Sequence, residues 1–239
     1  MSIIQSIIHK MSHTAVVTHK EKITHSTYHI RIKLKTDRFK NYIPGQHLRV
    51  IVGLDNPASF GDLVRTYSIW HYDELRNEAD IAVCTFSNGQ GAKWVQNLEK
   101  GDTIYFSGPE GKFTINPDAN NHLFYGDISS LAHLYELNRN VGWSKNASGI
   151  VYSSDKTHYF DDFTTKRNFG FLETPKNQAD EMITEIMWNT VPKGNTAVYI
   201  AGETAFCVAL HNYFKKEYGF SPKQIKTKPF WHPDKKGLE

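Results

Sequence analysis

The fold of the first half is decided by residues 28–35, which read Tyr-His-Ile-Arg-Ile-Lys-Leu-Lys. The even positions carry apolar or aromatic side chains, and the odd positions carry histidine, arginine or lysine. Because successive side chains of a strand point to opposite faces, this stretch predicts a half-buried antiparallel strand. Similar strands are predicted at 13–19, 46–53, 65–72, 80–86 and 103–108, with turn residues between them and a short helix at about 91–98. Short strands at this spacing predict a sandwich or a small barrel.

After about residue 118 the pattern of predicted elements changes, because strands now alternate with helices. Strands are predicted at 122–125, 148–152, 196–201 and 225–230, with helices over 128–140 and 204–218, the last one closed by Gly219. Between them, apolar residues spaced as in an amphipathic helix run from Ala179 to Met187. Thr174 is the predicted N-cap of that helix, with Pro175 at its first position. This alternation predicts a doubly wound parallel sheet.

The composition excludes several classes of protein. With 28 basic and 25 acidic residues the net charge is +3, which is too balanced for a nucleic-acid binder. A hydrophobic content of 39% and a charged content of 22% are ordinary for a soluble globular chain. We expect no membrane association, because no run of 18 apolar residues occurs and residues 1–8 are too short to span a bilayer. The two cysteines, Cys84 and Cys207, are expected to be reduced in the cytoplasm.

The sequence motifs of hydrolases and metal enzymes are missing. There is no His-Glu-x-x-His, no Gly-x-Ser-x-Gly, and no cluster of carboxylates and histidines at metal-binding spacing. His25 and His29 are four residues apart, but in a strand that spacing separates them by about 13 Å. We therefore expect the histidines to lie on solvated polar faces, and we expect no metal site and no catalytic side chain.

Two segments of the first half have residues that suit a ligand with a ring and a phosphate. Gly89-Gln90-Gly91-Ala92-Lys93-Trp94 opens a helix, and free amides at a helix start attract anions. In Arg65-Thr66-Tyr67-Ser68, period two places Arg65 and Tyr67 on one face, where arginine can pair with phosphate and tyrosine can stack. The alternative for this second segment is an exposed arginine beside a core tyrosine.

Two turns and a basic segment are the candidates in the second half. Gly126-Asp127 and Gly202-Glu203 each follow a predicted strand, and open parallel sheets bind ligands at the carboxyl ends of their strands. Alternatively, each glycine only starts a tight turn. Lysines outnumber acidic residues between 215 and 239. That segment is either a solvated surface or a patch that receives an anion.

Taken in this order, the motifs resemble the siderophore-interacting proteins, the flavin-dependent ferric-siderophore reductases of the ferredoxin-reductase-like superfamily. The resemblance runs from about His13 to Gly237. Its most specific part is the succession of residues 65–68, 89–94, 101–102 and 108–113, followed by 126–127, 201–203 and 230–231. The chain departs from the family at position 92, where Ala replaces a usual Ser, and after Asp127, where Ile128 replaces a carboxylate.

The resemblance implies an FAD-binding antiparallel β-barrel over residues 1–118 and an NAD(P)H-binding-like α/β domain over residues 119–239. It implies that Arg65 contacts the FAD diphosphate, that Tyr67 stacks on the isoalloxazine and that Ser68 lies at its reactive edge. The other cofactor-binding residues that it implies are Thr66, Gly89, Gly91, Ala92, Trp94, Gly126, Asp127, Gly202, Glu203 and Trp231. Lys223, Lys235 and Lys236 are the expected contacts for an anionic substrate.

The implied activity is reduction of Fe(III) in ferric siderophores by NADPH or NADH through FAD, which releases iron as Fe(II) in the cytoplasm. Ferredoxin is an alternative donor or acceptor. Two other functions stay open at this point: a general NAD(P)H-flavin or ferredoxin-type reductase with a protein partner, and a siderophore-binding module without turnover.

Overall fold

The computed structural model describes residues 13–52, 63–86, 89–164, 168–192 and 194–234. The chain divides into two compact units, residues 1–112 and 113–238. Each unit has its own sheet and its own apolar core. The second unit begins with Phe113, whose ring contacts the rings of His133 and Tyr199 at centroid distances of 5.2 and 5.8 Å.

The first unit is a closed antiparallel barrel with the strand order β1-β2-β5-β4-β3-β6, which confirms the predicted barrel. Its strands are β1 (His13–Thr24), β2 (Thr27–Leu34), β3 (His47–Ile51), β4 (Val64–Asp73), β5 (Glu78–Cys84) and β6 (Thr103–Glu110). A short helix, α1 (Gln90–Asn97), lies between β5 and β6. Val95 of α1 and the following Leu98 join the barrel core, so the helix is packed against the barrel by apolar contacts.

The predicted alternation in β2 holds. Ile30, Ile32 and Leu34 are buried in the barrel core, and Lys33 between them is exposed. His29 is the exception, because it belongs to the polar face and is nevertheless only 7% exposed. The indole of Trp70 covers it at a ring-centroid distance of 5.3 Å. Trp70 follows Ile69 at a register shift between β4 and β5, where a bulge changes the direction of the side chains.

The second unit is a parallel sheet with the strand order β11-β10-β7-β8-β9. Its strands are β7 (Asn121–Asp127), β8 (Asn146–Ser153), β9 (Gly170–Glu173), β10 (Thr196–Glu203) and β11 (Ile225–Trp231). Its helices are α2 (Leu131–Arg139), α3 (Gln178–Trp188) and α4 (Thr204–Glu217). The helices α3 and α4 share one apolar cluster with one face of the sheet. On the other face, Tyr135 of α2 stacks on Phe169, which contacts Phe124 of β7. The sheet is therefore covered on both faces, as predicted.

The predicted start of α3 is wrong. The helix begins at Gln178, after Asn177 in the left-handed conformation with φ of 53°. The hydroxyl of Thr174 donates to the carbonyl of Lys176, so this side chain closes a turn and caps no helix. Met187, predicted on the buried face, is 70% exposed, whereas Met182 and Ile186 are fully buried.

The other boundaries agree more closely with the sequence expectation. The helix α4 ends just before Gly219, whose positive φ of 66° fits a helix-terminating glycine. The short edge strand β9 was not predicted. Within the residues that the structure describes, no helix has both the length and the apolar character needed to cross a membrane.

Candidate functional site

Arg65 and Tyr67, which were predicted to share a face of β4, both lie beside Gly91 in the first turn of α1. A Cβ atom added to Gly91 would lie 2.5 Å from Tyr67 Oη and 3.5 Å from Arg65 Cγ. No side chain fits between the helix and the tyrosine, so glycine at position 91 allows the helix backbone to approach β4. Arg65 Nη1 also donates to the carbonyl of Val64 at 2.6 Å, which holds the guanidinium close to its own strand.

The start of α1 is electropositive. The N-cap is Gly89, which has no side chain to cap the helix, and the first turn contains no acidic residue. The first-turn amides of an α-helix have no partner within the helix, and the helix dipole places positive charge there. Arg65 adds a full positive charge beside this turn. The combination suits an anion such as a phosphate group.

A flat aromatic surface adjoins this anion site. The ring of Tyr67 stacks on the indole of Trp94 with a centroid distance of 5.6 Å and an interplanar angle of 20°. Both rings are partly buried against the barrel core. Thr66 and Ser68 alternate with Arg65 and Tyr67 along β4, so they belong to the other face of the strand. The structure thus brings together Arg65, Tyr67, Gly89, Gly91 and Trp94, and it does not bring Thr66 and Ser68 to the same face.

In the second unit, the predicted residues meet at the carboxyl ends of three adjacent strands. Asp127 of β7 accepts hydrogen bonds at Oδ2 from the Glu203 amide and from Trp231 Nε1, both at 2.8 Å. At Oδ1 it accepts from the amide and the hydroxyl of Ser129, at 2.8 and 2.5 Å. One buried carboxylate therefore ties the ends of β7, β10 and β11 together.

The other members of this cluster also make local structural contacts. Glu203 Oε2 accepts from the Phe206 amide at 2.7 Å and so caps α4. Gly202 has a φ of 127°, and a Cβ there would lie 2.5 Å from Asp127 Oδ2. A Cβ on Gly126 would overlap Ser130 Oγ. Both glycines are therefore required by close packing, so the tight-turn alternative accounts for them without a ligand.

Burial is the main influence on the charge of Asp127. It raises the pKa of this carboxyl group, and the hydrogen bonds from Ser129, Trp231 and the Glu203 amide oppose that rise. All of the described contacts are donated to the carboxylate oxygens, which fits the ionised form. Both carboxylate oxygens therefore already accept hydrogen bonds from the protein, and the ring of Trp231, which supplies one of them, is half-exposed.

The basic segment near the end of the chain does not behave as one solvated surface. Lys223 is exposed, whereas Lys235 and Lys236 lie outside the described residues. Lys226 Nζ donates to the carbonyl of Thr114 at 2.6 Å. Burial lowers the pKa of Lys228 to about 8, and its ammonium group lies 5.4 Å from the ring centroid of Phe230. Two of the lysines are therefore partly withdrawn from solvent.

Sequence reasoning missed a polar cluster on the barrel. His29 Nε2 and Arg31 Nε contact Asp80 Oδ1 at 2.6 and 2.8 Å, and His71 Nδ1 lies 3.4 Å from Oδ2. Burial would raise the pKa of Asp80, but the hydrogen bonds from His29, His71 and Arg31 hold it well below its usual range. These residues come from three strands, so linear spacing gives no indication of the cluster.

Two protein-family models divide the chain between them. The model for the oxidoreductase FAD-binding domain matches residues 14–115, and the model for the siderophore-interacting protein matches residues 119–234. The second half of the chain thus matches the siderophore-interacting protein family, and the first half matches an FAD-binding domain. The predicted family resemblance is thereby confirmed.

Individual relatives of this chain are distant in sequence. It is 24% identical over 179 residues to the ferric vibriobactin reductase ViuB of Vibrio cholerae, an alignment that covers 70% of this chain and 64% of the relative. It is 22% identical over 169 residues to the NADPH-dependent ferric-chelate reductase of Escherichia coli, with coverages of 67% and 63%. The chain thus spans less than two thirds of the length of these relatives.

A solved structure extends the likeness to the whole fold. The siderophore-interacting protein of Acinetobacter baumannii aligns with a TM-score of 0.79 and 15% identity, over 93% of this chain and 91% of that one. At such low identity the likeness establishes the shared two-unit fold, and the roles of individual residues stay predictions.

The residues of the barrel fit the flavin dinucleotide that the first family model implies. The diphosphate is matched by Arg65 and the electropositive start of α1, and the ring system by the aromatic surface of Tyr67 and Trp94. Because Gly91 has no side chain, the start of α1 lies directly beside Tyr67, and the two features are next to each other. Ala92, where the family often has serine, offers its backbone amide but no hydroxyl.

Proposed function

We propose that this chain is an NAD(P)H-dependent flavoprotein that reduces Fe(III) in ferric siderophores and so releases the iron as Fe(II). The observation that carries the proposal is the meeting of Arg65 and Tyr67 with the glycine-opened start of α1. The siderophore-interacting domain over residues 119–234 supports the substrate class, and the ferric reductases among the relatives support the reaction.

When FAD is bound, it supplies the redox chemistry, taking two electrons from a reduced nicotinamide and passing them singly to Fe(III). The chain contributes binding and orientation. Arg65 pairs with the diphosphate through its guanidinium, and the amides of Gln90 and Gly91 add hydrogen bonds at the positive end of α1. Tyr67, held by Trp94, presents a rigid ring against which a second ring can stack.

The strand ends of the second unit are the proposed place for the reduced nicotinamide. Gly126 and Gly202 let the backbone at this edge pack closely against Ser130 and Asp127, and Asp127 holds the three strand ends in register. Whether NADH or NADPH is used then depends on residues that contact the rest of the nucleotide. Lys223, Lys235 and Lys236 are proposed to attract an anionic ferric siderophore, over a range of about 10 Å at 0.1 M salt.

The first test is the cofactor content and activity of the purified protein. We expect a yellow protein that releases flavin on denaturation and that forms Fe(II) from a ferric siderophore on addition of NADPH or NADH, followed with a coloured Fe(II) chelator. A protein that carries no flavin and takes up none from excess FAD overturns the proposal. If the protein binds flavin and turns over ferredoxin, but reduces neither ferric siderophores nor ferric chelates, the proposed substrate is wrong. That result would favour a reductase with a protein partner.

The second test concerns Arg65. A charge-assisted hydrogen bond contributes about 1.5–3 kcal/mol, so Arg65→Ala should weaken FAD binding about 10- to 100-fold. The matched control is Arg38→Ala, which removes an equal charge from an exposed position of the same unit. Equal flavin retention in the two variants would reject the assigned phosphate contact.

A further inference from the structure

Two histidines and a glutamate meet on one face of the β1–β2 hairpin. His19, Glu21 and His29 each offer one ligand atom, and these atoms all lie within 4.8 Å of one another. His19 and Glu21 are exposed, and His29 is buried. None of the three residues belongs to the candidate flavin site on β4 and α1, so the cluster calls for its own explanation.

Strand register assembles this cluster. Glu21 pairs directly with His29 across the antiparallel hairpin, and His19 lies two residues before Glu21 on the same face. Side chains of directly paired residues have Cβ atoms about 4.5–5.5 Å apart, which is a suitable spacing for shared coordination of one ion. A linear search for His-x-x-x-His spacing does not detect this arrangement.

The donor set is that of a zinc-type cation. Two imidazoles and one carboxylate with an open fourth position are a common zinc ligand set. Ligand atoms about 2.0–2.2 Å from a tetrahedral zinc ion lie about 3.4 Å from one another. His19 Nε2 and Glu21 Oε2 are already 3.3 Å apart, and their side chains are 46% and 60% exposed. They have room to adjust toward His29.

A buried carboxylate supports the third ligand. His29 Nε2 contacts Asp80 Oδ1 at 2.6 Å, and Asp80 is held in turn by Arg31 and His71. When Nε2 donates to a carboxylate, the ring carries its lone pair on Nδ1 and its orientation is fixed, as in carboxylate–histidine–zinc arrangements. Glu21 and Asp80 bring two negative charges against the single positive charge of Arg31, which favours a cation.

We propose that His19, Glu21 and His29 bind a zinc-type divalent cation that clips β1 to β2, with Asp80 as the positioning residue behind His29. No metal site was expected from the sequence, because these ligands are adjacent only across the hairpin. The site is separate from the proposed flavin chemistry, and its test does not depend on enzyme activity.

The experiment is calorimetric titration of the chelator-stripped, flavin-loaded full chain with zinc chloride. We expect one zinc ion per chain in the wild type, and at least a tenfold loss of affinity in His19→Ala and in Glu21→Gln. Both positions are exposed, so the variants are expected to fold, and their unchanged flavin content serves as the check. Zinc should also raise the midpoint of thermal unfolding of the wild type and of neither variant.

The matched control is His25→Ala, which removes an exposed histidine from the turn of the same hairpin without touching the cluster. It should bind zinc as the wild type does. The proposal is overturned if the wild type takes up no zinc, if His19→Ala and Glu21→Gln bind it with wild-type affinity, or if His25→Ala is impaired as strongly as His19→Ala. Excess Mg²⁺ should not compete, because it prefers oxygen ligands, and effective competition would reject the zinc-type assignment.

Discussion

Gly91→Ala tests whether the contact between α1 and Tyr67 shapes the flavin site. The new methyl carbon would lie 2.5 Å from Tyr67 Oη, whereas ordinary contacts begin at 3.4 Å. The hydroxyl must therefore move by about 0.9 Å, the difference between these two distances. Stacking on Trp94 limits the ways in which the ring can do so.

The size of the effect of Gly91→Ala follows from two opposing contributions to stability. Alanine favours the helical conformation over glycine by about 0.5–1 kcal/mol. Overpacking a close contact costs about 1–3 kcal/mol. In the flavin-free protein these two effects on stability partly offset each other, so we expect the free energy of unfolding to change little. Flavin binding needs the ring in place, so the strain appears there and should weaken flavin affinity about 5- to 100-fold.

The assay is flavin binding to the stripped protein, measured by quenching of flavin fluorescence in four proteins: wild type, Gly91→Ala, Tyr67→Phe and the double variant. Because the clashing atom is the hydroxyl oxygen, Tyr67→Phe should remove most of the effect of the methyl group. Gly170→Ala is the control, since its methyl carbon would lie 3.5 Å from Ile150 Cγ1, an ordinary contact. The reasoning is refuted if Gly91→Ala lowers flavin affinity by the same factor with tyrosine and with phenylalanine at position 67.

Two further predictions concern the second unit. The pKa of Lys228 is about 8 in the fold, below its unfolded value of about 10.5. Keeping this lysine charged therefore lowers the stability of the fold by about 3 kcal/mol at pH 7. The loss becomes smaller as the pH rises from about 8 to about 10.5. Lys228→Met should therefore raise the free energy of unfolding by up to about 3 kcal/mol at pH 7 and by little near pH 10.5. Urea denaturation measures this gain, and an equal gain at both pH values would contradict the account. Asp127→Asn should leave one or two buried donors without an acceptor, at a cost of about 1–3 kcal/mol each. Urea denaturation should therefore show a larger loss of stability for Asp127→Asn than for Ser129→Ala. A smaller loss would contradict the role of the carboxylate in connecting the strand ends.

The alternation of polar and apolar residues predicted the barrel because burial repeats every second residue. Ile30, Ile32 and Leu34 are buried as the period requires. The period could not predict that His29, on the polar face, is buried as well. Its burial depends on Trp70, which reaches it from another strand at a bulge, and a bulge leaves no reliable trace in the alternation of one strand.

Local capping rules were less reliable than the periodicity. Thr174 followed by Pro175 has the composition of a helix start, yet the threonine hydroxyl forms a turn bond and the helix begins at Gln178. Both arrangements satisfy the same polar side chain, so composition alone does not distinguish them. By contrast, Gly219 marks the end of α4 correctly, because a positive φ strongly selects for glycine.

The candidate flavin residues were predictable as far as one strand and one helix define them. Period two placed Arg65 and Tyr67 on the same face, and the glycines predicted an open helix start. The stacking of Tyr67 on Trp94 was not predictable, because it depends on how α1 packs against the barrel. The same limit applies to the proposed zinc ligands, which become neighbours only through the register of β1 and β2.

Asp127 shows why a motif at a strand end does not by itself define a ligand contact. Its position after Gly126 suggested a group facing a nucleotide, yet its carboxylate accepts bonds from Ser129, Glu203 and Trp231. Such a network fixes the carboxyl edge of the sheet before any ligand arrives, which is a form of preorganisation. A ligand at this edge is therefore expected to depend on the shape that Asp127 maintains, so its loss should alter nucleotide binding only as far as it loosens the three strand ends.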